Sequence, residues 1–290
     1  MNIVKLLGIT YKEDIISNLI VGLINESKSF RNSFIRSIFN IENPSNFDIK
    51  AYTRIATSVG VPDIVITLEN DNCSRLLIIE NKLKADEGIN QTLRYSDEKC
   101  VADLVNNKLL GLKNKDVKIE FIFLTLMPEQ SPIGNEFKNI TYKDIIEDVK
   151  VEIEDKVLER IYYDFIFILK DFYKDLDINE DDKLIDSLSN EEDKDRAFIK
   201  FKKIAKCINC NGGLSVREIG KAGGVGRVSY YAKISKDSWI GKDEAKLINN
   251  TYKITKDSYD IHLEPSFDIF NKKIILPLHY ESRPYIPKKD

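Results

Sequence analysis

Two strongly apolar segments that carry charged residues at one end constrain the fold of this chain most. One runs from Asp63 through Ile-Val-Ile-Thr-Leu, and the other runs through Leu-Leu-Ile-Ile to Glu80, Asn81 and Lys82. Their β-branched content predicts two buried strands joined by a polar hairpin turn. A buried carboxylate is costly unless something compensates its charge. The pattern therefore predicts a compensated site where the charged ends of the strands meet.

The chemistry of these side chains indicates a metal site beside a lysine. Side chains alternate along a strand, so Glu80 and Lys82 share one face and Asn81 points to the other. The carboxylates of Asp63 and Glu80 are hard oxygen ligands for a divalent metal, which would lower the pKa of a bound water. Lys82 is a compact cation that can orient that water or stabilise developing charge. Two acids and a lysine at one place form an arrangement that can cleave a phosphodiester bond.

These residues carry a family resemblance. Pro62-Asp63, followed 17 residues later by Glu80-Asn81-Lys82, resembles the signature of the PD-(D/E)XK nuclease superfamily. After the lysine strand we expect one helix that begins at Asp86 or Asn90 and runs to about residue 106. It contains Gln91 and Tyr95, four residues apart, and is similar to a helix of many members. On its own, that pair would more often be a solvated helix face.

An early helix adds to the resemblance. Glu13 and Ser17 resemble the first helix of a bacterial and phage-borne group of members, in which an early Glu joins the acidic cluster. Asp14 beside it is an alternative, and both acids would also favour a helix N-terminus. The motifs that resemble the family lie within about residues 10–130.

The resemblance implies an α/β fold, with a mixed central β-sheet flanked by helices, and a metal-dependent nuclease. It implies Mg²⁺ as the cofactor, with Mn²⁺ as a substitute, held by Asp63, Glu80, the backbone carbonyl of Asn81 and Glu13. Gln91 and Tyr95 would contact the scissile phosphate or position Lys82. The catalytic residues it implies are Glu13, Asp63, Glu80, Lys82, Gln91 and Tyr95.

The resemblance also implies the partner. DNA is the expected substrate, RNA is not excluded, and the biology would be restriction, defence or mobile elements. A double-strand cut needs two active sites, so a homodimer is expected. A catalytically silent nucleic-acid-binding module or a protein-interaction module on the same fold remains the alternative.

Changes in composition along the chain predict its domain organisation. We predict a nuclease-like core over 1–175, an acidic linker over 176–195 and a C-terminal α+β region over 196–290. The linker is dense in acids and lacks aromatic residues. The role of the C-terminal region does not follow from its sequence.

Charge and hydropathy exclude few partners. The net charge of −3 over 290 residues indicates no global basic field for nucleic acid, although a local basic face would suffice. No apolar run is long enough for a transmembrane helix, and the first residues do not resemble a secretory signal. We therefore expect a cytoplasmic protein that does not associate with membranes.

Three further features have open interpretations. Cys207 and Cys210 suggest a metal cluster. The other two cysteines, Cys73 and Cys100, lie far upstream, which favours ordinary packing instead. His262 and His279 each have a Glu two residues on. Such an interstrand His/Glu pair can bind zinc, although core histidines are commoner.

The third feature is a glycine-rich basic segment, 212–227. It resembles a helix-turn-helix, with Lys221 and Arg227 placed to meet phosphates, but flexible turns are the favoured interpretation.

Overall fold

The structure is a computed structural model. It forms two compact units, residues 1–196 and 197–290. The residues that it describes are 2–113, 116–179, 181, 191–208, 212–224, 227–241, 246–248, 251–253, 258–268 and 273–283.

The first unit is built on one mixed five-stranded sheet in the order β1-β2-β3-β4-β5. The strands β1, β2 and β3 pair antiparallel, whereas β3, β4 and β5 pair parallel. This mixed sheet, with helices around it, confirms the predicted fold class. The strands are β1 (Asp48–Thr53), β2 (Ile64–Glu69), β3 (Ser74–Lys82), β4 (Val117–Thr125) and β5 (Phe137–Thr141).

Strand β3 lies at the centre of this sheet and is buried along almost its whole length. Strands covered on both faces are typically continuous apolar runs, as the Leu-Leu-Ile-Ile segment is. Leu76 and Ile78 point into a core cluster with Cys100 and Leu104. Because side chains alternate, Glu80 and Lys82 leave the strand on the same side as that cluster.

The helices of the first unit cover the sheet. Helix α2 packs on β1 and β3, and also contacts α3 and α7. The helices are α1 (Ile3–Leu6), α2 (Glu13–Glu26), α3 (Lys28–Phe39), α4 (Gln91–Tyr95), α5 (Glu98–Val105), α6 (Tyr142–Asp148) and α7 (Lys156–Leu176).

The segment after β3 was expected to form one helix reaching about residue 106, and that expectation was wrong. Helix α4 ends at Tyr95, and α5 starts at Glu98. Asp97 is extended and accepts a hydrogen bond from the backbone N–H of Lys99, so it caps a new helix. A capping aspartate competes with helix continuation, which explains the break.

The second unit combines one helix with a larger sheet. Helix α8 (Glu191–Lys206) starts inside the segment predicted as the linker and contributes residues to both units. Its Phe198 and Phe201 pack against Tyr230, and Phe201 also meets Phe267 edge-on.

The sheet of the second unit has the order β13-β12-β7-β11-β14, with β6 paired to β7 and β8 paired to β11, while β9 and β10 form a separate hairpin. The strands are β6 (Leu214–Gly224), β7 (Arg227–Lys236), β8 (Ile240–Gly241), β9 (Lys246–Ile248), β10 (Thr251–Lys253), β11 (Ser258–Leu263), β12 (Ser266–Asp268), β13 (Lys273–Ile275) and β14 (Leu278–Arg283).

The described part of segment 212–227 contains no helix-turn-helix, and its residues 214–224 are extended rather than flexible turns. Most of it is strand β6, which pairs antiparallel with β7. Its glycines permit close packing, because a Cβ added to Gly220 would lie 2.5 Å from the hydroxyl of Tyr231. The ammonium of Lys221 lies 4.7 Å from the centre of the Phe198 ring.

The cysteines that the structure describes are not paired. Cys100 is buried in the core of the first unit, Cys73 is half-buried and Cys207 is exposed. Cys210 lies outside the described residues. Among the described residues, no helix combines the length and the apolar content that a membrane crossing requires.

Candidate active site

The charged ends of β2 and β3 meet as the sequence predicts. Ile64 is paired with Ile79 in the antiparallel register, so Asp63 emerges beside Glu80. The Oδ2 atom of Asp63 accepts a hydrogen bond of 2.8 Å from the backbone N–H of Asn81. This bond fixes the Asp63 carboxylate against the end of β3.

Glu80 is fully buried and poorly satisfied. The Nζ atom of Lys82 lies 2.6 Å from its Oε1 atom. Even so, no donor in the described part of the chain makes a hydrogen bond of acceptable geometry to either carboxylate oxygen. Burial, reinforced by the neighbouring Asp63 and opposed by Lys82, raises the pKa of Glu80 from 4.5 to about 8.

The other two charged groups respond to the same environment. Burial raises the pKa of Asp63, although the N–H of Asn81 and the charge of Lys82 oppose the shift. Burial by itself lowers the pKa of Lys82, but Glu80 and Asp63 outweigh it, so the pKa of Lys82 is raised. Lys82 therefore stays charged, whereas burial disfavours the ionised forms of Asp63 and Glu80.

Glu13 reaches this cluster from the first turn of α2. Its Oε1 atom accepts hydrogen bonds from the backbone N–H groups of Leu83 at 2.8 Å and Lys84 at 3.0 Å. Asp14 instead points outward to Arg54, 3.4 Å away. Of the two acids, Glu13 is the one placed at the strand end. Through these bonds Glu13 orders the backbone that follows β3, and its charge contributes to the raised pKa of Asp63.

Asn81 points to the opposite face of β3, as predicted, and braces the strand against α2. Its amide Nδ2 donates to Ser17 Oγ at 2.9 Å and to the backbone oxygen of Glu13 at 3.2 Å. Its Oδ1 accepts a hydrogen bond from the hydroxyl of Tyr142, a fully buried side chain. Sequence reasoning missed Tyr142, because it lies 61 residues from its partner and no local pattern marks it.

Gln91 and Tyr95 hold the loop that precedes Asp63. Tyr95 is almost completely buried, so the pair is not a solvated helix face. Its hydroxyl donates to the backbone oxygen of Val61 at 3.1 Å, and Gln91 Nε2 donates to that hydroxyl at 3.1 Å. These hydrogen bonds hold the backbone at Val61, two residues before Asp63.

The loop after β3 is tied down by residues that the sequence did not indicate. Glu87 accepts hydrogen bonds from the backbone and hydroxyl of Thr92 and from the N–H of Ile133. Gln130 donates to the backbone oxygen of Ala85 at 3.0 Å. These bonds order the segment that carries the amides bound by Glu13.

The donor set at the strand ends fits a divalent metal ion. Glu80 presents two buried oxygens that have no hydrogen bond of good geometry, and Asp63 adds a further carboxylate beside it. Mg²⁺ is bound through one or two carboxylates of this kind, together with water and phosphate oxygens. A cation there would compensate the burial of Glu80 better than Lys82 alone does.

Comparison with known proteins agrees with this geometry. A model of the PD-(D/E)XK nuclease superfamily matches residues 1–165, more than half of the chain. The chain belongs to the PD-(D/E)XK nuclease superfamily, which confirms the resemblance seen in its motifs. No curated protein and no solved structure matches the chain significantly.

Replacing Gly60 by Ala should disturb the loop that carries Asp63. Gly60 has φ +155°, and an added Cβ would lie 2.6 Å from Cε1 of Tyr95. We expect Gly60→Ala to lower the free energy of unfolding by about 1–3 kcal/mol, measured by urea denaturation. As a control, Gly22→Ala, inside α2 with open space around it, should raise stability by about 0.5–1 kcal/mol. Equal effects would contradict this packing.

The raised pKa of Glu80 predicts a pH-dependent stability of the metal-free protein. Between pH 4.5 and about 8 the folded chain keeps a proton that the unfolded chain has lost, so stability falls as the pH rises through this window. Glu80→Gln has no proton to lose. In EDTA, the loss of stability between pH 5 and pH 8.5 should be smaller in Glu80→Gln than in the wild type, by about 1 kcal/mol or more.

A matched control is Glu120→Gln, which removes a half-buried carboxylate paired with Arg75 on the neighbouring strands. This variant should keep the pH slope of the wild type. Denaturant melts across the pH range measure all three proteins, and the same slope in Glu80→Gln and the wild type would refute the assignment.

Proposed function

We propose that this protein is a metal-dependent DNA endonuclease whose active site lies at Asp63, Glu80 and Lys82. The observation that supports this most is the buried carboxylate of Glu80, which has no hydrogen bond of good geometry although the charged Lys82 lies 2.6 Å from its Oε1 atom. A structural ion pair would have its remaining lone pairs satisfied. An unsatisfied pair of oxygens is typical of a site that receives another ligand.

In this proposal Asp63, Glu80 and the backbone carbonyl of Asn81 hold Mg²⁺, for which Mn²⁺ is a substitute. When bound, the ion polarises the phosphate and lowers the pKa of a coordinated water. Glu13 acts from outside, because its carboxylate orders the amides of Leu83 and Lys84.

Lys82 supplies the positive charge that the reaction needs on the protein side. Its ammonium is held by Glu80 and lies on the same face of β3, so it can donate to a phosphate oxygen or to the attacking water. Gln91 and Tyr95 act as positioning residues. The Tyr95 hydroxyl donates to the backbone oxygen of Val61, two residues before Asp63, and so holds the loop that carries Asp63. The same groups act on the phosphate of RNA, and the choice of DNA rests on the superfamily.

The finer biological role is also part of the proposal. A homodimer would bring two sites to the two strands of a duplex. Restriction, defence against foreign DNA or mobile-element biology is the setting suggested by the resemblance of Glu13 and Ser17 to bacterial and phage-borne members.

The test is cleavage of supercoiled plasmid by wild type and Lys82→Ala, each with Mg²⁺, Mn²⁺ or EDTA. We expect nicking or linearisation that needs the metal and falls at least about 100-fold in the variant, the usual effect of losing one electrostatic contact to the transition state. Lys118→Ala, an exposed lysine on β4, is the matched control and should keep full activity. Unchanged activity in Lys82→Ala, or activity in EDTA, would contradict the proposal.

Metal affinity should depend on pH, because Glu80 must lose its proton to bind the ion. With a pKa of about 8, its deprotonated fraction increases about 50-fold from pH 6 to pH 8. Calorimetric titration with Mg²⁺ should therefore show tighter binding at pH 8 by more than tenfold. Asp63→Asn should bind Mg²⁺ weakly at both pH values. Affinity that is independent of pH in the wild type would argue against Glu80 as a ligand.

A further inference from the structure

One face of the β11–β14 ribbon in the second unit concentrates metal-ligating side chains. His262 lies directly opposite His279, and Asp260 lies directly opposite Glu281. Directly opposed residues, and residues two apart on one strand, project from the same face of a sheet. Register alone therefore places two imidazoles and two carboxylates side by side.

The distances between these groups are close to those of a coordination site. One ligand atom from each of His262, His279 and Glu281 lies within 4.8 Å of the other two. The two imidazole rings are stacked, with centroids 5.5 Å apart and planes 19° apart. A tetrahedral zinc ion holds its ligand atoms about 3.4 Å apart. Small rotations of the half-buried His279 and Glu281 side chains would close the difference.

The hydrogen bonding of His262 leaves one nitrogen unused. The side chain is fully buried, its Nε2 lies 3.4 Å from Oε2 of Glu264, and its Nδ1 makes no hydrogen bond. A proton on Nε2 directed at Glu264 leaves the Nδ1 lone pair free. An imidazole that donates to a carboxylate through one nitrogen and binds metal through the other is the usual outer-shell arrangement of metal sites.

The charge of the cluster also fits a dication. Asp260, Glu264 and Glu281 surround the two imidazoles, and Oδ1 of Asp260 is buried without a hydrogen bond. Lys233 contacts Glu281 at 3.2 Å. Lys233 also lies 3.3 Å from Glu218, so it keeps a partner when Glu281 turns toward an ion. Among the described residues, three carboxylates and the one ammonium of Lys233 therefore lie around the two imidazoles.

We propose that His262, His279 and Glu281, with Asp260 as a fourth ligand, bind a zinc-class transition-metal ion that ties β14 to β11. Imidazole ligands suit Zn²⁺ and its neighbours, whereas the oxygen-only set at Asp63 and Glu80 suits Mg²⁺. The site is thus chemically distinct from the proposed nuclease centre and does not depend on it. Its role is structural, because it adds a bridge between β11 and β14 to their hydrogen-bond ladder and to the stacked pair Tyr259 and Tyr280.

The test uses the full chain, stripped with a chelator and titrated with Zn²⁺, in an Asp63→Asn background that disables the other proposed site. We expect one bound Zn²⁺ and a higher melting temperature. His279→Gln in the same background should weaken the affinity at least tenfold and abolish the thermal shift. The matched control is Tyr280→Gln, an exposed neighbour on the same strand, which should bind as the parent does.

A second measurement covers the case in which His279→Gln does not fold. The chain contains two histidines, so ¹⁵N-labelling of histidine reports on these two rings alone. One equivalent of Zn²⁺ should shift one ring nitrogen in each imidazole of the parent protein. Ring resonances that do not move, or Zn²⁺ affinity that is the same in His279→Gln and the parent, would overturn the proposal. Either result would leave the plasmid test of the nuclease site unaffected.

Discussion

The candidate active site of this protein is organised around one buried carboxylate that lacks a well-formed hydrogen bond. Glu80 is enclosed at the end of the central strand, beside Asp63 and Lys82, without a well-formed hydrogen bond to its oxygens. An incompletely compensated charge in the interior costs stability. The burial that raises the pKa of Glu80 also leaves its carboxylate suited to a compensating cation, as in the proposed metal site.

The rest of the first unit holds this carboxylate in place. Strand β3 pairs antiparallel with β2 and parallel with β4, so a strand flanks each of its edges. Asn81 ties its far face to α2 and α6 through Ser17 and Tyr142. On the near face, Tyr95 fixes the backbone that leads to Asp63. These bonds therefore fix the backbone from which Asp63, Glu80 and Lys82 project.

Local sequence patterns predicted the part of the site that neighbouring residues determine. The strands and their charged ends followed from runs of β-branched residues, and the mixed sheet followed from the family resemblance. The choice of Glu13 over Asp14 needed the direction in which α2 presents its first turn. Tyr142 was missed because tertiary packing brings it to Asn81, and Glu87 was missed because no local pattern marks its bonds to Thr92 and Ile133. Residues 214–224 were misread because their pairing with β7, rather than their glycines, decides their structure.

The most direct test of the central claim is a crystal structure grown with Mn²⁺, with anomalous diffraction used to locate the ion. We predict a manganese peak about 2.1 Å from carboxylate oxygens of both Asp63 and Glu80. In that structure Lys82 should no longer contact the Oε1 atom of Glu80. A structure without manganese at these two carboxylates, in which Glu80 still faces only Lys82, would contradict it.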